Sequence, residues 1–203
     1  MEINNNDYSC IIDNNKMSFV KFLYTKNNSK LLNLDNCENI KSNCFKNTTG
    51  IEMVCINSNS TIEIEESAFE NSSDLKTIVI GKTLEKKTQN LRNDVVIDSK
   101  EQWCTTSLRT INKQKGLNNV TIQSNAFKNC NSLDCIHIKA ENVIIESNAF
   151  SQCYNLRIVV IESNVIHVRK EAFEQSNNLC ILGKPKTLKQ YCSKNNIEYM
   201  ELT

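Results

Sequence analysis

The sequence contains little glycine, proline or histidine: its 203 residues include 4 Gly, 1 Pro and 2 His. So few glycines leave little room for the glycine-rich loops that cradle phosphate groups, and two histidines exclude a histidine-rich metal site. An excess of one charge is also missing, since 24 Lys and Arg stand against 23 Asp and Glu. This balance argues against a nucleic-acid or membrane-surface protein, because such proteins usually carry a basic excess.

Long hydrophobic runs are absent as well. The apolar segment nearest the N-terminus, Phe19–Tyr24, is short and is interrupted by Lys21. No stretch approaches the ~18–20 apolar residues that span a bilayer, and Met1–Asp7 lacks the basic and apolar regions of a secretory signal. We therefore expect a cytoplasmic protein from the chain as written, the alternative being a cell-surface location if the chain is a fragment.

Ten cysteines are present, and no two of them are spaced as Cys-x-x-Cys. The usual spacings of zinc-binding and thioredoxin-like motifs are therefore missing, and disulfide-rich secreted domains are generally smaller and denser in cysteine. We expect reduced thiols that pack as small buried hydrophobes. The length and the 39% share of apolar residues predict a folded single domain.

An internal repeat determines the predicted architecture. Ile122–Leu133 has the form Ile-x-x-x-Ala-Phe-x-x-Cys-x-x-Leu, and Ile145–Leu156 repeats it 23 residues later. Val168–Leu179 follows the same pattern, and the second half of each unit reads Leu-x-x-Ile-x-Ile, as in Leu133–Ile138. The phenylalanines of the unit are Phe45, Phe69, Phe127, Phe150 and Phe173.

A degenerate copy of the unit is predicted between the second and third of these phenylalanines. Ile97, Leu108 and Ile111 have the spacing of the repeat, with Trp103 in the aromatic position. About ten extra residues near 81–94 then form a protruding loop, and a looser first turn contains Leu31, Leu32 and Leu34. These copies bring the expected number of turns to about seven.

A stack of such units explains how the chain could fold. One unit cannot bury its own apolar face, whereas adjacent units can bury a shared one. The Leu-x-x-Ile-x-Ile segments are too short for helices and rich in β-branched residues, so they are predicted to be strands that pair in parallel between turns, beside a column of stacked phenylalanines. A helix is expected only at Lys186–Asn195, and together with a strand at Ile197–Leu202 it would cap the stack.

The unit Ala-Phe-x-x-Cys-x-x-Leu-x-x-Ile-x-Ile resembles the BspA-type leucine-rich repeat of protist and bacterial proteins, and Tyr191–Tyr199 resembles the ending of that family. The resemblance implies a mainly β, right-handed leucine-rich-repeat horseshoe with parallel strands on its concave face and a short C-terminal capping helix and strand. In this interpretation one domain comprises a cap and degenerate first turn (1–34), repeats with an insertion near 81–94 (35–184) and a C-terminal cap (185–203). It also implies binding, often adhesion or host-surface contact, without catalysis.

The exposed side of the strands is the predicted binding site. In Leu-x-x-Ile-x-Ile the leucine and both isoleucines point inward, so the other positions should face solvent. Two of the resulting rows are apolar and a third carries alternating charges, which suits a protein or peptide partner. The predicted contact residues are Met53, Cys55, Lys76, Thr77, Val79, Arg109, Asp134, Cys135, His137, Arg157, Ile158 and Val160. The alternative is that neighbouring side chains, or another copy of the chain, cover this face.

A mutational expectation follows from that pattern. Replacing Ile158 and Val160 with glutamate should abolish partner binding without unfolding the chain, because both side chains are placed on the exposed side. If the double variant unfolded, the predicted assignment of inward and outward positions would be wrong.

Cysteine chemistry is an alternative at two positions of the repeat. Cys130 and Cys153 share one repeat position, which would bring them within disulfide range in neighbouring turns. Ser72 and Ser176 fill the same position in other turns, so a small, hydrogen-bonding residue is the favoured interpretation.

Cys135 and His137 form the only close Cys–His pair. A cysteine nucleophile also needs a group that orients its base, and no repeat position is expected to place a carboxylate beside this pair. A basic patch is a candidate nucleic-acid site, but only Trp103 could stack on bases, so a solvated loop is favoured. The patch comprises Lys82, Lys86, Lys87, Arg92, Lys113 and Lys115.

The sequence thus predicts a non-catalytic protein–protein interaction module that binds a protein or peptide through its strand-lined face. No cofactor, metal, nucleic acid or membrane insertion is expected. The first alternative is a cell-surface adhesin of the BspA type. The second is a thiol-dependent enzyme or metal site at Cys135 and His137.

Overall fold

Most turns of the chain contribute two short strands, one to each of two largely parallel sheets. The structure, a computed structural model, describes residues 2–4, 8–13, 18–25, 29–58, 60–81 and 117–202. The strands are β1 (Glu2–Asn4), β2 (Tyr8–Asp13), β3 (Ser18–Thr25), β4 (Leu31–Leu34), β5 (Asn39–Ile40), β6 (Met53–Ile56), β7 (Thr61–Ile64), β8 (Thr77–Ile80), β9 (Leu117–Ile122), β10 (Cys135–Ile145), β11 (Ile158–Glu162), β12 (Val165–Val168), β13 (Cys180–Gly183) and β14 (Glu198–Glu201), and helix α1 is Lys186–Lys194.

The front sheet contains the predicted Leu-x-x-Ile-x-Ile strands. Its order is β4-β6-β8-β10-β11-β13-β14, and every neighbouring pair is parallel. Ile136 lies opposite Ile78 on one side and Val159 on the other. From β6 to β11 the register advances by whole repeats, so equivalent positions of these turns form straight rows across the sheet, whereas β13 is shifted by one residue, with Cys180 opposite Ile158.

A second sheet, the back sheet, was missed by the sequence analysis. It joins β5, β7, β9, the second half of β10 and β12 in parallel, while the antiparallel strands β1, β2 and β3 extend it at the N-terminal end. Ile62 and Ile64 of β7 are buried, as are Val120 and Ile122 of β9. This two-residue alternation is the signal of a half-buried strand, and it could have revealed the sheet.

The phenylalanines of successive turns stack on one another in a column, as predicted. The phenylalanine ring centroids are 4.7–5.3 Å apart from Phe45 to Phe173, and the planes of successive rings differ by at most 10°. This separation follows the ~4.8 Å spacing of parallel strands. Phe22 covers the first ring at 5.1 Å, and Tyr191 meets the last ring edge-on at 6.4 Å.

The number of turns differs from the prediction. Strand β8 pairs directly with β10, and β7 pairs directly with β9, so no strand is inserted between these turns although Asn71 and its equivalent Asn129 are 58 positions apart. The solenoid therefore has about five turns, and the predicted turn at Ile97–Ile111 is wrong as a layer of the stack. That segment has the apolar spacing of the unit but lacks its Ala-Phe pair. In the other turns this pair lies in the bend that leads from the back-sheet strand to the front-sheet strand, and this bend is called the corner below. Residues 82–116, including the basic patch and Arg109, lie outside the described residues.

The C-terminal cap has the predicted elements. Helix α1 follows Pro185 and ends before Asn195, and it buries Leu188 and Cys192 against the last turn. The next strand, β14, pairs with β13. A short amphipathic helix therefore follows the last regular turn and packs against it, as the sequence indicated.

Candidate functional site

The strand face is the outward side of the front sheet, and its geometry follows from the alternation of its strands. Val54 and Ile56 of β6 are fully buried, as are Ile136 and Ile138 of β10. These side chains point into the core, so the residues between them point outward. The predicted inward positions are confirmed in these strands.

The first outward row is partly accessible. Met53 lies opposite Thr77, which lies opposite Cys135, which in turn lies opposite Ile158. Met53, Thr77 and Ile158 are half-buried, whereas Cys135 is 5% exposed. The row thus presents a discontinuous, largely apolar strip, in which Met53 and Ile158 are apolar and Thr77 carries a hydroxyl.

The second outward row is buried, which corrects the prediction. Cys55, Val79, His137 and Val160 are 0%, 4%, 2% and 1% exposed. Alternation along a strand fixes the direction in which a side chain points, but it carries no information about what lies over that side chain. The expectation that these residues are accessible is therefore wrong, and with it the ground on which Val160 was expected to tolerate a charge.

The third outward row, called the charge row below, consists of charged side chains that pair with one another. Lys30 Nζ and Lys76 Nζ lie 2.7 Å from the two carboxylate oxygens of Glu52. Hydrogen bonds from both lysines lower the pKa of Glu52 to about 2. Arg157 forms a bidentate ion pair with Asp134, donating through Nε at 2.6 Å and through Nη2 at 2.9 Å. Exposed pairs of this kind contribute little to stability, but they leave a surface with charges fixed in place.

His137 has a carboxylate partner that sequence reasoning missed. Its Nε2 atom lies 2.7 Å from Oε1 of Glu162, and Lys139 Nζ lies 3.2 Å from Oε2 of the same side chain. The expectation that no carboxylate would stand beside His137 is wrong. Glu162 is in register with Lys139 on the neighbouring strand, so a diagonal contact with His137 was available from the repeat alignment.

Cys135 is disulfide-bonded, and the side chain of its partner cysteine lies outside the described residues. The expectation of a fully reduced set of cysteines is therefore wrong at this position. A bonded sulfur is not a thiolate, so Cys135 and His137 do not form an activated nucleophile and base as they stand.

Among the described residues, all of the free cysteines except the half-buried Cys180 are buried. Burial raises the pKa of the Cys37, Cys55 and Cys153 thiols to about 12. Because a thiolate is the reactive form, these groups remain protonated thiols near neutral pH.

The repeat position shared by Cys130 and Cys153 is a hydrogen-bonding slot. Both cysteines are free. Their Sγ atoms lie 3.1 Å and 3.2 Å from the carbonyl oxygens of Phe69 and Phe127, respectively, each in the preceding turn. Ser72 and Ser176 donate to the equivalent carbonyls, so the structural interpretation of this position is confirmed.

Two further features can be stated for the described part of the chain. It contains no cluster of three or more His, Cys, Asp or Glu side chains that could hold a metal ion. It also contains no helix that is long and apolar enough to cross a membrane.

A solenoid with one Leu-x-x-Ile-x-Ile strand per turn defines a leucine-rich-repeat protein. The model of the BspA-type leucine-rich repeat region (six copies) matches residues 9–94 and 96–201. The chain therefore belongs to the BspA-type leucine-rich-repeat family.

Similarity to individual proteins is more distant. A matching solved structure is a leucine-rich cell surface protein from Faecalibacterium prausnitzii A2-165, which is 13% identical. The match covers 98% of this chain and 94% of that chain, with a TM-score of 0.31. No curated protein matches the chain.

Proposed function

We propose that this chain is a non-catalytic binding module that recognises another protein or a peptide through its strand face. The observation that carries the proposal is the half-buried row of Met53, Thr77 and Ile158 beside the fixed charge row. An apolar strip bordered by charged groups suits a protein partner, because it combines burial of apolar area with oriented polar contacts.

The site is narrower than the twelve residues that the sequence suggested. Cys55, Val79, Cys135, His137 and Val160 point outward but are buried, so the expectation that they contact a partner is wrong for these five. Met53, Lys76, Thr77, Asp134, Arg157 and Ile158 are the accessible or partly accessible members of the predicted set. Arg109 remains a predicted contact outside the described residues.

The disulfide at Cys135 favours a second candidate, the cell-surface adhesin. Disulfides persist in oxidising compartments and are rare in the cytosol, so this bond is unexpected for a cytoplasmic protein. Alkylating the native protein in its source cells before lysis tests the point. Peptide mapping that finds Cys135 bonded would favour the surface role, whereas an alkylated Cys135 would favour the cytoplasmic one.

A matched pair of charge substitutions tests the strand face itself. Ile158→Glu introduces a charge into the half-buried row of the front sheet, and Val165→Glu introduces the same charge at a 46% exposed position of the back sheet. Partners captured from the source cells by the unmodified chain should be lost with Ile158→Glu and retained with Val165→Glu. Equal retention by both variants would contradict the proposal.

A further inference from the structure

The Ala-Phe corners of the solenoid are joined by a repeated pair of main-chain hydrogen bonds. Phe45 N–H donates to Ala68 O at 2.7 Å, and Asn47 N–H donates to Glu70 O at 2.9 Å in the next turn. The same two bonds are made by Phe69 and Asn71, by Phe127 and Asn129, and by Phe150 and Gln152, at 2.7–3.0 Å. Every donor thus faces the C-terminal end of the stack, where the last corner has no following turn.

The last corner leaves one of its two donors without an acceptor. Gln175 has the left-handed backbone of its equivalents, with φ of 63°, but its N–H meets no acceptor among the described residues. The Tyr191 hydroxyl donates to Lys170 O at 3.2 Å, and its oxygen lies beside the Phe173 backbone. That hydroxyl therefore stands where a carbonyl oxygen of the next turn would lie.

A cavity of about 440 Å³ opens at this end of the molecule. Its wall includes Phe173, Gln175 and Tyr191, together with Lys170, Glu171 and Glu174. Peptide dipoles aligned through successive hydrogen bonds place a partial positive charge at the N–H end, as they do in a helix. The cavity therefore attracts an oxygen acceptor.

The surroundings distinguish among the possible acceptors. Exposed N–H groups of this type often bind anions, but the Glu171 and Glu174 carboxylates outnumber the Lys170 cation in the wall and oppose a negatively charged ligand. A second copy stacked end to end is also disfavoured, because Phe22 covers the first corner through its ring and through an N–H bond of 3.1 Å to Cys44 O. An uncharged carbonyl oxygen fits this end, as it does in every interior turn.

We propose that this cavity is a second binding site, distinct from the strand face, which takes a short, uncharged or basic polypeptide segment by its main-chain carbonyl groups. One carbonyl of the segment accepts from Gln175 N–H. The carbonyl two residues earlier competes with the Tyr191 hydroxyl for Phe173 N–H, just as the carbonyls of Ala149 and Ser151 accept from Phe127 and Asn129.

The test is an NMR titration of the full chain, labelled with nitrogen-15, with an acetylated and amidated peptide that copies residues 147–153 with serine at the position of Cys153. We expect the peptide to shift the Gln175 amide signal and slow its hydrogen exchange. A version with glutamate in place of Asn148 and Gln152 should bind more weakly. Absence of any effect at Gln175, or tighter binding of the acidic peptide, would overturn the proposal. Equal effects from acetate or inorganic phosphate would also overturn it, because they would indicate an adventitious ion only.

A variant of the capping tyrosine provides an independent measurement. Tyr191→Phe keeps the ring but removes the competing hydroxyl, together with its bond to Lys170 O, so peptide affinity should rise about fivefold, the effect of one added uncharged hydrogen bond. Tyr199→Phe, which removes a hydroxyl that donates to Gly183 O outside the cavity wall, should leave the affinity unchanged. Unchanged or weaker binding by Tyr191→Phe would contradict the role assigned to Phe173 N–H, and the Gln175 exchange measurement does not depend on this variant.

Discussion

The corners of the solenoid and its strand face arise from the same repeat, yet they are specified to different degrees. At the corners each side chain has a partner of its own kind one turn away, as in the stack of Phe127 on Phe150. On the strand face only the inward residues recur, while the outward ones vary from turn to turn. A position recurs where its neighbour in the stack must be chemically equivalent to it, and it is free to vary where it contacts something else.

The corners also explain the scarcity of glycine. Nearly every corner needs backbone in the left-handed region, where glycine is the usual residue. Here asparagine, glutamine and serine adopt it, and asparagine is the side chain that tolerates this region best after glycine. The positions are Asn43, Asn47, Ser67, Asn71, Asn125, Asn129, Asn148, Gln152 and Gln175, with φ between 56° and 63°. Side-chain hydrogen bonds from Asn71 to Asn47 and from Asn129 to Asn71 join three of them.

The largest effect is expected from an interruption of the aromatic column. Phe150→Ala removes a ring that is fully buried between two others, and it should lower the free energy of unfolding by roughly 3–5 kcal/mol. Urea denaturation measures the loss. Tyr154→Ala, at a ring that is 50% exposed, is the control and should change the stability by less than about 0.5 kcal/mol. Similar losses in both variants would show that the column is not the core.

The strand face should respond unequally at two neighbouring positions. Val160→Glu places a charge at a side chain that is 1% exposed, so it should cost at least ~3 kcal/mol of folding stability. Ile158→Glu, at the half-buried position two residues earlier, should leave the chain folded and act on binding alone. Thermal melting separates the two outcomes, and a folded Val160→Glu variant would restore the wider binding site that the sequence predicted.

The same contrast shows how much could be predicted from sequence. Stacked positions such as Phe69 and Phe127 were predictable because each is repeated beside an equivalent residue. The burial of His137 and its contact with Glu162 were not predicted, because the first depends on what covers the face and the second on a diagonal contact between different residue types. The false turn at Ile97–Ile111 arose because apolar spacing was accepted without the corner that ties one turn to the next.

A smaller effect is expected at the left-handed corner residues. Asn129→Ala loses both the tolerance of φ near 62° and the side-chain bond to Asn71, whereas Asn129→Gly loses only the bond. The alanine variant should therefore be about 1 kcal/mol less stable than the glycine variant, by urea denaturation. An alanine variant as stable as the glycine variant would mean that the left-handed backbone imposes no cost at this corner.

The smallest effect should come from the charge row of the strand face, and it should depend on pH. Glu52 has a pKa of about 2 in the folded chain, where hydrogen bonds from Lys30 and Lys76 hold it below its ordinary value of 4.5. A lowered pKa means that the carboxylate adds stability above pH 4.5, and that this contribution disappears as the pH falls from 4.5 towards 2. Urea denaturation across this interval should show a shallower loss of stability for Glu52→Gln than for the unmodified chain, with Glu198→Gln, at an exposed position of β14, as the control. Because the side chains of Lys30 and Lys76 are exposed to solvent, added salt should reduce the difference in stability between the two chains. Parallel pH profiles for Glu52→Gln and the unmodified chain would mean that the charge row contributes nothing to folding.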